Sequence, residues 1–154
     1  MTTAVAEDKE LKESLAKFET AILTPVVSGE LKEWVRMATM ACNEARNQLQ
    51  SYRQAALNPQ CAVIKEADPD LWPKIQQLTL EDDAIAQALA DFRDNLASLA
   101  HRAAEVETHE SKANNQRETV EAQGLALVLR IRKQLAAADT WFSESLLRDR
   151  GTGD

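Results

Sequence analysis

The sequence predicts an all-α protein, an up-down antiparallel four-helix bundle, and three observations carry that expectation. Ile75, Leu78, Asp82, Ile85, Leu89, Phe92, Leu96, Leu99 and Ala103 follow an unbroken 3-4-3-4 spacing. That spacing puts all nine on one side of a helix, facing a partner. Second, Ala, Leu, Glu, Gln and Arg are abundant, which favours helix, and β-branched runs of period 2 are absent. Third, the 154 residues include only four Gly and four Pro, and the Pro fall near segment ends. Amphipathic helices joined by short links bury their stripes best as an antiparallel bundle, crossing at about 20°.

The first helix is expected from about Glu7 to Leu23. Leu11, Leu15, Phe18 and Ile22 make its apolar face, and Pro25 stops it. Ser28 is a good N-cap for the second helix, with Glu30 in the first turn. That helix is read from Gly29 or Glu30 to about Ala56. Its seam is Leu31, Val35, Ala38, Cys42, Ala45, Leu49, Tyr52 and Ala56, widened by Trp34 and Ala41. Asn58 and Pro59 are read as its end. Leu57 to Leu71 is then a long connection, with Cys61 to Ile64 tucked beneath it.

Asp68-Pro69-Asp70 reads as the entry to the third helix: a capping residue, a first-turn proline and a second acid. The helix should run from about Asp70 past His101. Glu105 to Glu118 is polar, and either extends the helix or turns near Asn114-Asn115. The fourth helix is expected over about Arg117 to Arg148. Its apolar face is Gly124, Val128, Ile131, Leu135, Ala138, Phe142 and Leu146. Residues 1–8 read as a disordered start, 9–148 as a single bundle domain and 149–154 as a flexible tail.

The net charge of −7 argues against a general nucleic-acid binder or a ligand of acidic membranes. No segment reaches the roughly 20 apolar residues that span a bilayer. Met1 to Lys9 lacks the basic start and apolar run of a signal peptide. Cys42 and Cys61 fit no metal spacing or disulfide framework. Together these imply a cytoplasmic protein with reduced thiols.

Chemistry-bearing residues are few. Glycine-rich phosphate loops and nucleophile elbows are absent. Trp34, Trp72 and Trp141 read as core or bundle-rim residues. His101, Glu105 and His109 share one helix side if the helix continues, and read as a solvated face or as three rungs of a metal site. Glu81 and Asp83 fall off the apolar seam. Asp82 falls on it, and a charge there is costly unless paired, protonated or bound to metal. Three readings stand open: a pair with an arginine of another helix (Arg36, Arg46, Arg53, Arg130 or Arg132), a wet and open bundle, or the remnant of a core metal site.

Leu78-Thr79-Leu80-Glu81-Asp82-Asp83-Ala84-Ile85 resembles the hemerythrin-like segment in which a Leu precedes Glu-His, with an apolar residue three after the His. Asp68-Pro69-Asp70-Leu71-Trp72 is similar to that helix's entry. Glu144-Ser145-Leu146-Leu147 and the tail to Asp154 are similar to the closing helix and its short acidic-glycine end. The resemblance covers about Thr24 to the C-terminus. It implies an up-down four-helix bundle, which in that family binds two irons through His and carboxylates to bind oxygen or sense oxygen and redox state.

By the same resemblance, Asp82 stands where the His of the Glu-His pair belongs. The earlier ligands fall in Ser51 to Gln60, which holds no His or acid. The late His falls near Asp139 or Thr140, ahead of Glu144. Asp82, Asp139 and Glu144 are therefore the metal positions the resemblance leaves. It implies a non-catalytic bundle without the di-iron site or other cofactor, serving protein interaction or regulation. Two alternatives stay open: an altered, carboxylate-rich site for iron or another divalent metal in an oxygen-binding or sensing protein, and an unrelated adaptor that self-associates.

Overall fold

A computed structural model describes residues 2–27, 29–104 and 110–152, with side chains described over 8–27, 29–104 and 113–148. The chain is all-helical: α1 (Thr2–Leu23), α2 (Leu31–Tyr52), α3 (Asn58–Ala67), α4 (Trp72–Ala104) and α5 (Glu110–Thr152). A π turn (Arg53–Leu57) joins α2 to α3, and a 3-10 turn (Pro69–Leu71) precedes α4. There is no strand among the described residues. Four long helices pack in a ring, α1 on α2, α2 on α4, α4 on α5 and α5 on α1, with α3 beside α4.

The apolar stripes fill the core as their spacing dictates. Leu11, Leu15, Phe18 and Ile22 are fully buried, and every residue of the Leu31-to-Ala56 seam is buried. On α4, Ile75, Leu78, Asp82, Ile85, Leu89, Phe92, Leu96 and Leu99 are buried, with Ala103 partly so. Phe18 meets Phe92 edge to face, with centroids 5.5 Å apart. Gly124 lies beside them, where a Cβ would strike Ile22 and come within 3.1 Å of the Phe92 ring. Its missing side chain allows α5 that close approach.

The helix ends differ from expectation in instructive ways. Residues 2–8 and 149–152, expected as unstructured ends, are helical. Ser28 lies outside the described residues. Gly29 carries φ +88°, the left-handed geometry glycine tolerates, and α2 starts at Leu31. The chain does not loop out after Ala56. The Asn58 N–H bonds the Arg53 carbonyl, five residues back, and helix resumes to Ala67. Pro59 has no N–H and would press on the carbonyl four residues before it in a regular helix. A widened turn directly upstream relieves both demands. It also inserts one residue into the stripe: burial passes from Leu49, Tyr52 and Ala56 to Leu57, Cys61 and Ile64.

Asp68 makes no side-chain cap. Its carboxylate accepts a bond from Ser145 Oγ at 2.5 Å, while the Leu71 N–H bonds the Asp68 carbonyl at 2.9 Å. Helix α5 already covers Asn114-Asn115, so the chain does not turn there. On α5, Leu146 is half exposed, whereas Gln134 and Ser145 are buried. Their polar groups explain the exchange: each meets a specific acceptor across the bundle, and the Gln134 amide donates to the Leu78 carbonyl at 2.6 Å.

Candidate functional site

The most unusual chemistry in the core lies where the π turn meets α4. Asp82 projects from the apolar stripe and is 2% exposed. Arg53, the first residue of the π turn, forms an ion pair through Nε with Asp82 Oδ2 and donates from Nη2 to Asp83 Oδ1 at 2.8 Å. One guanidinium thus binds two successive carboxylates and ties the π turn to α4. This is the arginine-paired arrangement among the three sequence readings of Asp82, with Arg53 as the partner. Its planar fork suits two acceptors in a way an ammonium does not.

Asp82 Oδ1 is buried and has no hydrogen-bond partner among the described residues. Burial pushes the carboxyl up to about 6, the Arg53 charge opposes that shift, and Asp83 adds to it. Tyr52, the residue before Arg53, is buried in the same region. Burial raises its hydroxyl, with the charges of Asp139, Asp8 and Asp82 adding. Cys61 follows on α3, its thiol raised by burial and lowered by a hydrogen bond with Thr79. A π turn beside buried ionisable groups is a frequent functional setting.

The other two expected metal positions, Asp139 and Glu144, lie on α5. Asp139 on α5 is exposed. Surrounding protein raises its carboxyl, with Asp8 adding and Lys12 opposing. Lys12 itself pairs with Asp8 at 2.9 Å. Glu144 accepts from Arg148 Nε at 3.3 Å, and Arg148 also binds Asp70. Asp82, Asp139 and Glu144 do not form a three-ligand group, although Asp82 and Asp139 both act on the Tyr52 hydroxyl. His101 is exposed near the end of α4, 19 residues from Asp82 and so about 28 Å along the helix. Glu105 and His109 lie outside the described residues.

A di-iron centre in such a bundle takes about six protein donors, His among them. Among the described residues, no group of three or more His, Cys, Asp or Glu is placed to hold a metal ion. The donor set does not fit that centre: Asp82, the one buried carboxylate among the described residues, is held by a guanidinium. Cys42 and Cys61 are free, buried thiols, and burial raises Cys42 to about 11, far from a reactive thiolate. Among the described residues, no helix is long and apolar enough to cross a membrane.

Each tryptophan lies beside a cation: Trp72 beneath Lys65, Trp141 beneath Lys74, and Trp34 near Arg117. Trp34 is buried and its Nε1–H donates to the Ile22 carbonyl at 3.3 Å, while Trp72 and Trp141 are half-buried at the rim. Sequence reasoning did not find the π turn. Its signal was the one-residue slip in the stripe between Ala56 and Leu57.

Comparison of the chain with protein-family models, with curated proteins and with solved structures finds no match.

Proposed function

We propose that this protein is a non-catalytic, cytoplasmic helical bundle of up-down, hemerythrin-like type that lacks the di-iron site and serves as a protein-interaction or regulatory module. The observation that carries the reading is the fate of the core carboxylate. In a metal-binding bundle, inward acids and imidazoles converge on an ion. Here Arg53 holds the inward acid, Asp82, and also binds Asp83. Asp139 and Glu144 have cationic neighbours of their own. A guanidinium supplies no lone pair to a metal, so this centre acts as a polar clasp between the π turn and α4. The fold then contributes shaped helical surface rather than chemistry.

Metal analysis tests this directly. Protein purified from iron-rich medium is expected to carry no stoichiometric iron. Two irons per chain with near-ultraviolet oxo-bridge absorption would overturn the reading. So would a divalent-metal rise in melting temperature that Asp82→Ala abolishes, which is the signature of a carboxylate metal site.

A further inference from the structure

One outer face of α2 combines apolar exposure, a cavity and acidic flanks. Glu30, Glu33, Met37, Met40 and Glu44 follow 3-4-3-4 spacing from the residue before α2 and along it, and all five are exposed. Met37 is 48% and Met40 58% exposed, with Val27 at 62% near the entry to α2. At the α1–α2 corner a cavity of about 120 Å³ is lined by Thr24, Pro25, Val26, Trp34 and Met37, with Glu30 and Glu33 at its edge. That approaches the ~150 Å³ that accommodates benzene, enough for one apolar side chain. Trp34 is held in place by its bond to the Ile22 carbonyl, so this wall is preformed.

We propose that this α1–α2 groove docks an amphipathic helix of another protein, one whose apolar anchor is flanked by Lys or Arg. The inference rests on the interaction-module reading and names its surface and partner chemistry. Methionine suits the task because its unbranched, polarisable side chain adapts to a partner's shape. Heptad-like spacing on an exposed helix face matches the ridge of an incoming helix.

Charge selects the occupant. Glu30 and Glu33 border the cavity, and Glu44 closes the far end. Arg36 binds Glu33 at 2.5 Å and touches both methionine sulfurs, and Lys17 reaches Glu44 at 3.6 Å. These pairs are exposed and therefore weak, so a partner's cation exchanges readily for either. A second copy is a poor occupant. Antiparallel self-pairing about Met37 and Met40 sets Glu33 against Glu44, and parallel self-pairing sets each acid against itself. Like charges so placed oppose docking, while the net charge of −7 draws in a basic partner.

The test uses two labelled synthetic helical peptides, identical in their leucine anchors, one flanked by Lys and one by Glu. Fluorescence anisotropy with the full chain is expected to show binding of the Lys peptide, weakened by salt, and none of the Glu peptide. Met37→Glu with Met40→Glu should weaken binding by roughly tenfold or more, with helicity by circular dichroism unchanged because both residues are exposed. Glu30→Lys with Glu33→Lys should reverse the preference. Leu129→Glu, at an exposed position of α5, should leave binding intact.

Failure of the wild type to bind either peptide, equal binding of both, or unchanged affinity in the methionine variant overturns the proposal. A dimer in sedimentation equilibrium that the methionine variant dissolves would assign the groove to a second copy and overturn it too. Loss of binding with Leu129→Glu alone would move the docking surface elsewhere and leave the interaction reading standing. Stoichiometric iron would remove that reading whatever the peptides do.

Discussion

Two levels of this bundle draw on the same helices and are held together by opposite means. At one, Phe18, Ile22 and Phe92 interlock around Gly124 with no polar side chain among them. At the other, Arg53 carries a guanidinium inward to Asp82, whose second carboxylate oxygen has no partner among the described residues. The first level gains from removing apolar surface from water and from close packing. The second sets charge attraction against desolvation, and desolvation is the larger: the Asp82 carboxyl is raised rather than lowered. A bundle can therefore rest its stability on dry layers and keep one polar layer at a net cost.

The contrast is broken most strongly at the dry layer. Phe92→Ala should destabilise the protein by about 3–5 kcal/mol, since a fully packed ring leaves a cavity. Chemical denaturation measures it, and a loss under ~1 kcal/mol would mean the layer collapses to fill the space. At the polar layer, Arg53→Ala should cost about 3 kcal/mol, the low end for breaking a buried pair, because Arg53 is itself 27% exposed. Adding Asp82→Asn to Arg53→Ala should recover most of that loss in a double-mutant cycle. Simple additivity would show that the two side chains are not coupled.

The pH dependence follows from the raised carboxyl. The folded chain binds the Asp82 proton near pH 6, whereas the ordinary value is 3.8. Between these values the folded state holds more proton than the unfolded state. Stability from this group therefore rises as pH falls from 7 through 6, and levels off near 4. The gain is on the order of 2–3 kcal/mol at most. Asp70 and Glu33, held below the usual carboxylate value by Arg148 and Arg36, act the other way only around and below pH 4. Urea midpoints at pH 7.5 and 5 should differ in the wild type and differ less in Asp82→Asn, where the raised carboxyl of Asp139 still contributes. An equal slope in that variant would remove Asp82 as the source. Arg53 still has Asp83 in the variant, so the substitution itself should be tolerated at pH 7.5.

Smaller changes sharpen the picture. Gly124→Ala gains helix propensity but drives a methyl into Ile22 and against Phe92. A net loss of about 1 kcal/mol is expected, and Ile22→Val should lessen it. Arg148→Ala removes exposed pairs to Asp70 and Glu144, so its effect should stay within about 1 kcal/mol. Thermal melts at two salt concentrations would check that assignment.

The stripes on α1, α2 and α4 were legible in the chain because burial on a helix repeats every three or four residues. The α2–α3 junction was not read. Asn58-Pro59 carries the local chemistry of a stop, and only the slip from Ala56 to Leu57 betrayed a continuing helix. On α5, Leu146 kept the right phase yet faces solvent, while Ser145 goes inward to Asp68. Periodicity does not register a hydrogen bond made across 77 residues of sequence.

Composition and spacing by themselves determined that the chain is helical, which faces are apolar, and that one carboxylate must sit in the core. Those properties follow from neighbours three or four residues apart. Only the tertiary structure decided what meets that carboxylate. Arg53 reaches Asp82 where the end of α2 packs against α4, setting a cation beside the core carboxylate where a metal-binding bundle would bring imidazole. That choice depends on two helices meeting in register, a relation that local spacing does not encode.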